Sequence, residues 1–481
     1  MKKTSFIFAT LLTALLIFSL LPIANYVADE TRVLHNDYET KYAKFHPNRI
    51  FLRVKYLLDN KHKYDTLVFG SSRGEFIDTD KISPKAYNMF HGFGTLSTYL
   101  QSLKVALNQG VKVKNVWLGI NDFEIWKDHT DALHQLTFKD GLFGNTALYM
   151  RWLFRNSPHT VEILKNNLPL VQSDFITNPT TQRILRSRIQ EKNLPKRKAM
   201  YAAMLGHTEQ YKIDASIEDI KEIKRLCTKH NIALTVFFYP SYYLTYLRYD
   251  QTKINLFKKK LASVTEFHDF YLLNKTAYDQ TKWFDSSHFA TSIGDYIIKS
   301  IQKNNHLVTQ RNVDTHIEKS KSLLLKSTTY PHSHIYIVHS TLDFSSFPTL
   351  FNLYDDETKY KKNNHFTMQK KEDGFHINVH GNDPWILPDN IHTKTKASVL
   401  EVSMITDKKG AFRLYLKKNR KENYSEGRTY VVRLKKGLNN FNLIVPSNYL
   451  NNDLRIDFIS QTGKYIIKKL RIRELIEENN Q

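Results

Sequence analysis

The hydrophobic positions of this chain fall into three successive rhythms along its 481 residues. The first rhythm is an unbroken apolar run from Phe6 to about Ala24, preceded by Lys2 and Lys3 and followed by Asp29 and Glu30. Its length is close to the roughly 20 residues that cross a bilayer as a helix. A secretory signal and a retained anchor share this pattern. The segment Pro22-Ile23-Ala24-Asn25-Tyr26-Val27-Ala28 offers no clean small-x-small cleavage site, which favours an anchor over residues 1–27. Positive charge before the run and negative charge after it place the N-terminus inside and the remainder outside the cytoplasm. Either reading exports the main body.

The second rhythm alternates short buried strands with amphipathic helices. Asp65–Phe69, Ala86–Phe90, Asn115–Leu118, Ile232–Tyr239 and Phe267–Leu273 read as strands. Leu96, Leu100, Leu103 and Leu107 share one face of a helix over 95–109, which Gly110 closes. Ser216 and Asp219 suggest a cap for a helix running to His230, and a last helix covers about 291–303. This alternation predicts a three-layer α/β/α domain with a parallel sheet over 28–305. An insertion over about 128–215 reads as helical and basic, with Arg183, Arg186, Arg188, Lys192, Lys196, Arg197 and Lys198. It is either a lid or groove for an anionic polymer or a solvated hairpin.

Residues 306–330 are polar and lysine-rich, and are expected to be a linker. From 331 to 481 the period falls to two. Strands are expected at 334–338, 375–379, 412–416, 430–434, 442–445, 454–458 and 465–472, separated by turn signals such as Asp373-Gly374 and Lys435-Lys436-Gly437. Many short strands of this kind predict an antiparallel, jelly-roll-like β-sandwich.

Composition narrows the partners. The formal net charge is +23, which attracts anionic polymers and headgroups. No zinc-ligand spacing, RNA-binding signature or helix-turn-helix pattern accompanies the charge, so nucleic acid is not expected as a partner. Cys227 is the only cysteine and lies in a helical apolar pattern with Ile220, Ile223 and Leu226, so it reads as core.

Four blocks carry chemistry. Gly70-Ser71-Ser72-Arg73-Gly74 follows the first strand, Gly92-Phe93-Gly94 the second, and Gly119-Ile120-Asn121-Asp122 the third. The carboxyl ends of strands are where open α/β sheets bind ligands. Asp285-Ser286-Ser287-His288 precedes the last helix, and a carboxylate three residues before a histidine can hold the imidazole in the tautomer that deprotonates a serine. Each block is common by itself; their order and context carry the weight.

On these blocks the region from about 60 to 305 resembles the SGNH (GDSL-like) hydrolase superfamily. The resemblance implies Ser72 as nucleophile and His288 as base, oriented by Asp285. It implies an oxyanion hole from the N–H of Ser72, the N–H of Gly94 (with Gly92 as its alternative) and the amide of Asn121. Ser71 stands where the family usually has aspartate, and Arg73 follows the nucleophile. This variant is similar to a membrane-tethered branch that handles cell-envelope polymers, the proteins of polysaccharide O-acetylation and teichoic-acid D-alanylation. Arg73 and Asp122 are expected to contact substrate. The region after 331 resembles β-sandwich carbohydrate-binding modules, where Trp385 could stack on a sugar ring. Tyr242, Tyr243, Tyr246 and Tyr249 either line a sugar groove or pack as a helix face.

The expected function is acyl transfer, onto a cell-surface polysaccharide, through an acyl-serine that needs no metal or organic cofactor. A membrane-bound acyltransferase is the donor that the resemblance implies. An esterase of the same fold and a non-catalytic glycan-binding protein are the alternatives.

Overall fold

The computed structural model describes residues 2–35, 48–125, 136–141, 143–166, 175–177, 184–186, 212–283, 285, 287–328, 336–338, 343–355, 360–389, 391–417, 419, 421–425, 429–451, 453–459 and 461–476. The apolar run forms α1 (Lys2–Ala28), with Phe6–Ala28 long and apolar enough to cross a membrane. Next comes α2 (Arg49–Asp59), started by the Asn48 side chain accepting from the N–H of Phe51 at 3.2 Å.

The second rhythm builds a mixed α/β layer. Its elements are β1 (Thr66–Phe69), β2 (Ala86–Asn88), α3 (Leu96–Asn108), β3 (Asn115–Ile120), α4 (Thr146–Leu153), α5 (Pro158–Asn166), the two-stranded ladder β4 (Phe175–Thr177) and β5 (Ile184–Arg186), and α6 (Ile213–Lys229). After these come β6 (Ala233–Phe238), α7 (Tyr243–Arg248), α8 (Gln251–Val264), β7 (Phe267–Asp269), the short α9 (Lys275–Tyr278), α10 (Thr291–Gln302), β8 (Leu307–Val308) and α11 (Val313–Thr328). The main sheet has the order β2-β1-β3-β6-β7-β8. Its first five strands run parallel, and β8 adds antiparallel at the edge. All four residues of β1 are buried, so both faces of the sheet are covered there. Helices α2, α3, α6, α8 and α11 touch in succession along one row.

Three expectations are corrected here. The linker over 306–330 instead holds β8 and α11. Val308, Val313 and Ile317 are buried there, and apolar spacing within the lysine-rich stretch explains the helix. Ser216 does not cap α6, which begins three residues earlier; its Oγ donates inside the helix to the carbonyl of Glu124 at 2.5 Å. The insertion is not purely helical, since β4 and β5 pair within it. Of its basic cluster only Arg186 lies among the described residues; Arg183, Arg188, Lys192, Lys196, Arg197 and Lys198 lie outside them.

Buried charge locks the far edge of the sheet. Lys258 on α8 and Asp269 at the end of β7 are fully buried and 2.6 Å apart, and His316 on α11 meets the same carboxylate oxygen at 2.6 Å. The Asp269 carboxyl is pushed up by burial, but the opposed Lys258 and His316 outweigh this and hold it below its ordinary value. Cys227 is buried, and burial pushes its thiol up to about 11.

The third rhythm folds as two packed antiparallel sheets. In chain order the strands are β9 (Tyr336–Val338), β10 (Thr349–Asn352), β11 (Tyr360–Lys362), β12 (Phe366–Lys371), β13 (Gly374–Val379), β14 (Trp385–Pro388), β15 (Ala397–Thr406), β16 (Gly410–Tyr415), β17 (Thr429–Leu434), β18 (Gly437–Pro446), β19 (Arg455–Asp457) and β20 (Gly463–Glu474). One sheet has the order β12-β13-β20-β15-β18-β9, with β10 beside β20; the other is β11-β14-β19-β16-β17. Val402, Met404, Phe412, Leu414, Ile456 and Leu470 are among the side chains that fill the space between them. The two halves of the molecule are not separate bodies. Phe344, Ala397, Val399, Ile444 and Leu475 of the sandwich belong to the same buried cluster as the α/β core.

Candidate functional site

The turn after β1 is shaped by close packing. A side chain at Gly70 would meet the Tyr239 hydroxyl at 2.4 Å, so only glycine lets the chain cross that ring. Ser72–Phe76 then form one 3₁₀ turn, with the Gly74 N–H donating to the Ser71 carbonyl at 2.8 Å. From the other side, Gly294 of α10 lets the helix backbone press on the turn: a Cβ there would lie 2.0 Å from the Phe76 carbonyl oxygen. Ser72 is left partly exposed between them.

The Asp285–His288 segment reaches the same place from 216 positions downstream. The Ser72 Oγ and His288 Nε2 are 2.8 Å apart, and His288 Nδ1 lies 2.7 Å from Asp285 Oδ2. Backbone N–H groups of Ser287 and His288 both donate to Asp285 Oδ1 at 2.8 Å, which fixes the carboxylate. Burial pushes the Asp285 carboxyl up, but the His288 ring and the two N–H donors outweigh it and hold it well below the usual carboxylate range. An ionised carboxylate only accepts, so the imidazole proton belongs on Nδ1 and the Nε2 lone pair faces the serine O–H. That is the geometry of a hydroxyl poised to lose its proton to a base.

Asn121 lies at the carboxyl end of β3, fully buried. Its Oδ1 accepts from Ser71 Oγ at 2.8 Å, and its Nδ2 donates to Glu124 Oε1 at 3.2 Å. Ser71 thereby fixes which end of the amide is which. Glu124 also accepts from the N–H of Leu96 at 3.2 Å, tying this turn to the start of α3. The glycine loop settles differently from expectation. The Gly94 N–H donates to the His91 carbonyl at 3.1 Å, and a Cβ at Gly94 would strike Tyr99 and His91. Gly94 is therefore a packing glycine. Gly92 is exposed, a Cβ on it would meet nothing within 4 Å, and no backbone hydrogen bond described uses its N–H. Of the two glycines, Gly92 is the one with a donor to offer. His91 N–H donates to the Gly70 carbonyl at 3.2 Å, which holds this loop against the Ser72 turn.

Arg73 and Asp122 are not placed to meet a substrate. They are 3% and 1% exposed and form an ion pair of 3.1 Å beneath the site. Arg73 Nε also donates to the Ser287 carbonyl at 3.0 Å, and Ser241 Oγ donates to Asp122 Oδ2 at 3.1 Å. The pair thus ties together the serine turn, the Asn121 turn, the strand end at Ser241 and the Asp285–His288 segment. The tyrosine run is core rather than groove: Tyr242, Tyr243 and Tyr246 are buried, and Tyr246 stacks on Tyr271 at 4.6 Å. Trp385 is half-buried on β14, with the Arg455 guanidinium 5.7 Å from its ring and 4.7 Å from Tyr415. Arg455 is held in turn by Asp457 at 2.7 Å and by Asp383.

Sequence reasoning passed over Ser71, Glu124, Ser241 and Ser287 as positioning groups. A serine in place of the usual aspartate was the visible signal at 71. Glu124 lies three residues after Asn121 and Ser287 lies inside the Asp285–His288 block, so both were near the motifs in sequence, while Ser241 is joined to the site only by tertiary contact.

No protein-family model matches the chain, and no curated protein matches it significantly. Solved structures similar to part of it include the tandem CBM22-1–CBM22-2 domain of Paenibacillus barcinonensis Xyn10C, at 10% identity over 28% of this chain and 51% of that one (TM-score 0.23). The family 29 carbohydrate-binding module of Piromyces equi matches at 9% identity over 29% of this chain and 89% of its own (TM-score 0.19). A β-1,3-glucan-binding CBM6 from Bacillus halodurans matches at 12% identity over 24% of this chain and 92% of its own (TM-score 0.18). This chain therefore spans about half of the first of these structures. At such TM-scores the likeness assigns neither a fold nor a ligand.

Proposed function

We propose that the chain is a membrane-anchored SGNH-type serine acyltransferase. It would pass an acyl group, acetyl being the simplest, to a cell-surface polysaccharide outside the cytoplasm. One observation carries this reading: Ser72, His288 and Asp285 form an unbroken relay of 2.8 and 2.7 Å. His288 Nε2 takes the Ser72 proton as Oγ attacks the acyl carbonyl, and the tetrahedral oxyanion is met by the N–H groups of Ser72 and Gly92, with the Asn121 amide, buried and already giving one N–H to Glu124, having only its second N–H to add. Collapse of the intermediate expels the donor's leaving group, which takes the proton from His288. A glycan hydroxyl then attacks the acyl-serine by the reverse steps. Water in its place would make the protein an esterase of the same fold. Retention of the anchor is supported by Asn25, buried near the end of α1, whose amide donates to the carbonyls of Leu153 and Arg155 at 2.8 Å each. Cleavage after Ala28 would discard that joint.

The test is a fluorophosphonate probe followed by product analysis. Ser72 should be labelled in the folded protein and Ser72→Ala should not. With an acetyl ester and an acceptor glycan, an acetylated sugar should appear; free acetate alone would leave the esterase. A second reading, a glycan binder without chemistry, is favoured by the half-exposed Trp385 beside Arg455 and Tyr415. Failure of the probe on well-folded protein would leave that reading standing.

A further inference from the structure

We infer that α4 and α5 form an apolar shelf that sits in the surface of the same bilayer that α1 spans, so that the body of the protein lies on the membrane rather than swinging from a tether. The inference rests on the proposed anchor reading of α1. Three independent observations lead to it.

The first is an apolar face that is exposed among the described residues. Ala147 and Met150 on α4 and Phe154 at its C-cap have helical spacing and are exposed, Met150 at 52% and Phe154 at 55%. Phe143, one turn earlier, is 78% exposed. On α5, Val161 and Leu164 stand three apart and are exposed as well. The opposite face of α4 is conventionally buried, with Leu148 packed in a cluster with Val33, Phe51 and Leu52. Large apolar side chains exposed together in this way mark a contact site.

The second observation says what covers it. The shelf is fastened to the outer end of the span. Asn25 donates to the carbonyls of Leu153 and Arg155 at 2.8 Å, and Thr160 Oγ1 donates to Asn25 Oδ1 at 2.7 Å. Ser157 Oγ donates to Glu30 at 2.7 Å. Asn25 lies three residues before the end of α1, so the α4–α5 junction stands at the depth of the last helical turn of the span. At 1.5 Å per residue the Phe6–Ala28 segment is roughly 35 Å long, a little more than the roughly 30 Å hydrocarbon core, so that turn falls at the interface. The exposed Ile23, Tyr26 and Val27 of α1 continue the apolar surface.

The third observation is the polar trim. Trp152 and Arg155 line a small polar hollow with Asn25, Glu30 and Ser157, and the Arg155 guanidinium lies 5.0 Å from the Trp152 ring. Exposed Arg151 and Lys165 flank the apolar residues. Tryptophan and basic side chains beside an apolar stripe are the composition of helices that lie in the headgroup layer.

The test uses the full chain reconstituted in phospholipid vesicles. Cys227 is buried, so single cysteines can be labelled beside it with an environment-sensitive fluorophore: Phe154→Cys and Val161→Cys on the shelf, Leu15→Cys in the span, and Lys409→Cys on the sandwich as the exposed control. Quenching by nitroxide-bearing lipids at 154 and 161 should exceed that at 409 by about two-fold or more, with shielding from aqueous iodide. If 15 is quenched by lipid while 154 and 161 behave like 409, the shelf inference falls and the anchor stands. If 15 is not quenched either, the anchor reading fails first. Shielding from iodide without lipid quenching would mean that protein, such as a second copy, covers the shelf, and would also overturn the inference.

Discussion

The α/β half and the sandwich handle their backbones in opposite ways. In the sandwich, antiparallel ladders consume the backbone donors and acceptors of neighbouring strands, as in the ten-residue register between β15 and β18. What remains for a ligand is a face of side chains. In the parallel sheet the strands end together at one edge, and the turns that leave them have N–H groups with no ladder to join. The candidate site lies there, assembled from residues as far apart as Ser72 and His288. Chemistry needs free donors and a nucleophile in one place, and the parallel sheet provides both; the sandwich provides a rigid surface.

Substitutions can break that contrast. The largest effect is expected from Ser72→Ala, which should lower acyl turnover by about 10⁴–10⁶-fold in a steady-state assay while leaving the sandwich fold untouched in circular dichroism. Next is Lys258→Met, which removes the buried ammonium opposed to Asp269 and leaves His316, among the described residues, as the one cation beside that carboxylate. A loss of about 3–5 kcal/mol in denaturant-unfolding free energy is expected, and a change below 1 would show that the pair is not holding the sheet edge. Gly92→Pro removes one backbone donor and should cost about 10²–10³ in kcat, whereas Gly92→Ala keeps the N–H and should be near wild type.

A pH effect of smaller size follows from Asp285. Its carboxyl titrates lower in the folded chain than in the unfolded one, so it adds stability that is fully present above the unfolded carboxylate value. That contribution is lost as the pH falls through the lower folded value. The stability gap between wild type and Asp285→Asn should therefore be constant from neutral pH down to about 5 and close in stronger acid, as read by thermal melts across pH. Smallest is Trp385→Ala, which should leave ester turnover unchanged and weaken retention on an immobilised acceptor glycan by a few-fold if the sandwich face binds sugar.

Much of the α/β half was legible because strands such as β1 and β6 are short apolar runs closed by Gly70 and Pro240, and helices such as α3 have clean 3.6-residue spacing. The helix over 95–109 was off by one residue at each end. Strand β15 was not legible, although it is central to its sheet. Eight of its ten residues are buried, on both faces, which erases the period-two alternation that revealed β13 and β16. The relay of Ser72, Asp285 and His288 could be read from block order. The choice between Gly92 and Gly94 could not, since it turns on which N–H is spent inside the loop. Arg73 and Asp122 look like substrate ligands in one dimension because charge beside a nucleophile suggests it. Only the fold reveals that they face each other from under two different turns.

The cluster common to both halves has a thermodynamic consequence. With Phe344, Val399 and Ile444 embedded among α/β residues, neither half can melt without uncovering the other's apolar surface. Calorimetry should show one cooperative endotherm where two were to be expected from the change in strand pattern. A chain truncated before residue 331 should be poorly soluble, because the scar left behind is greasy rather than polar.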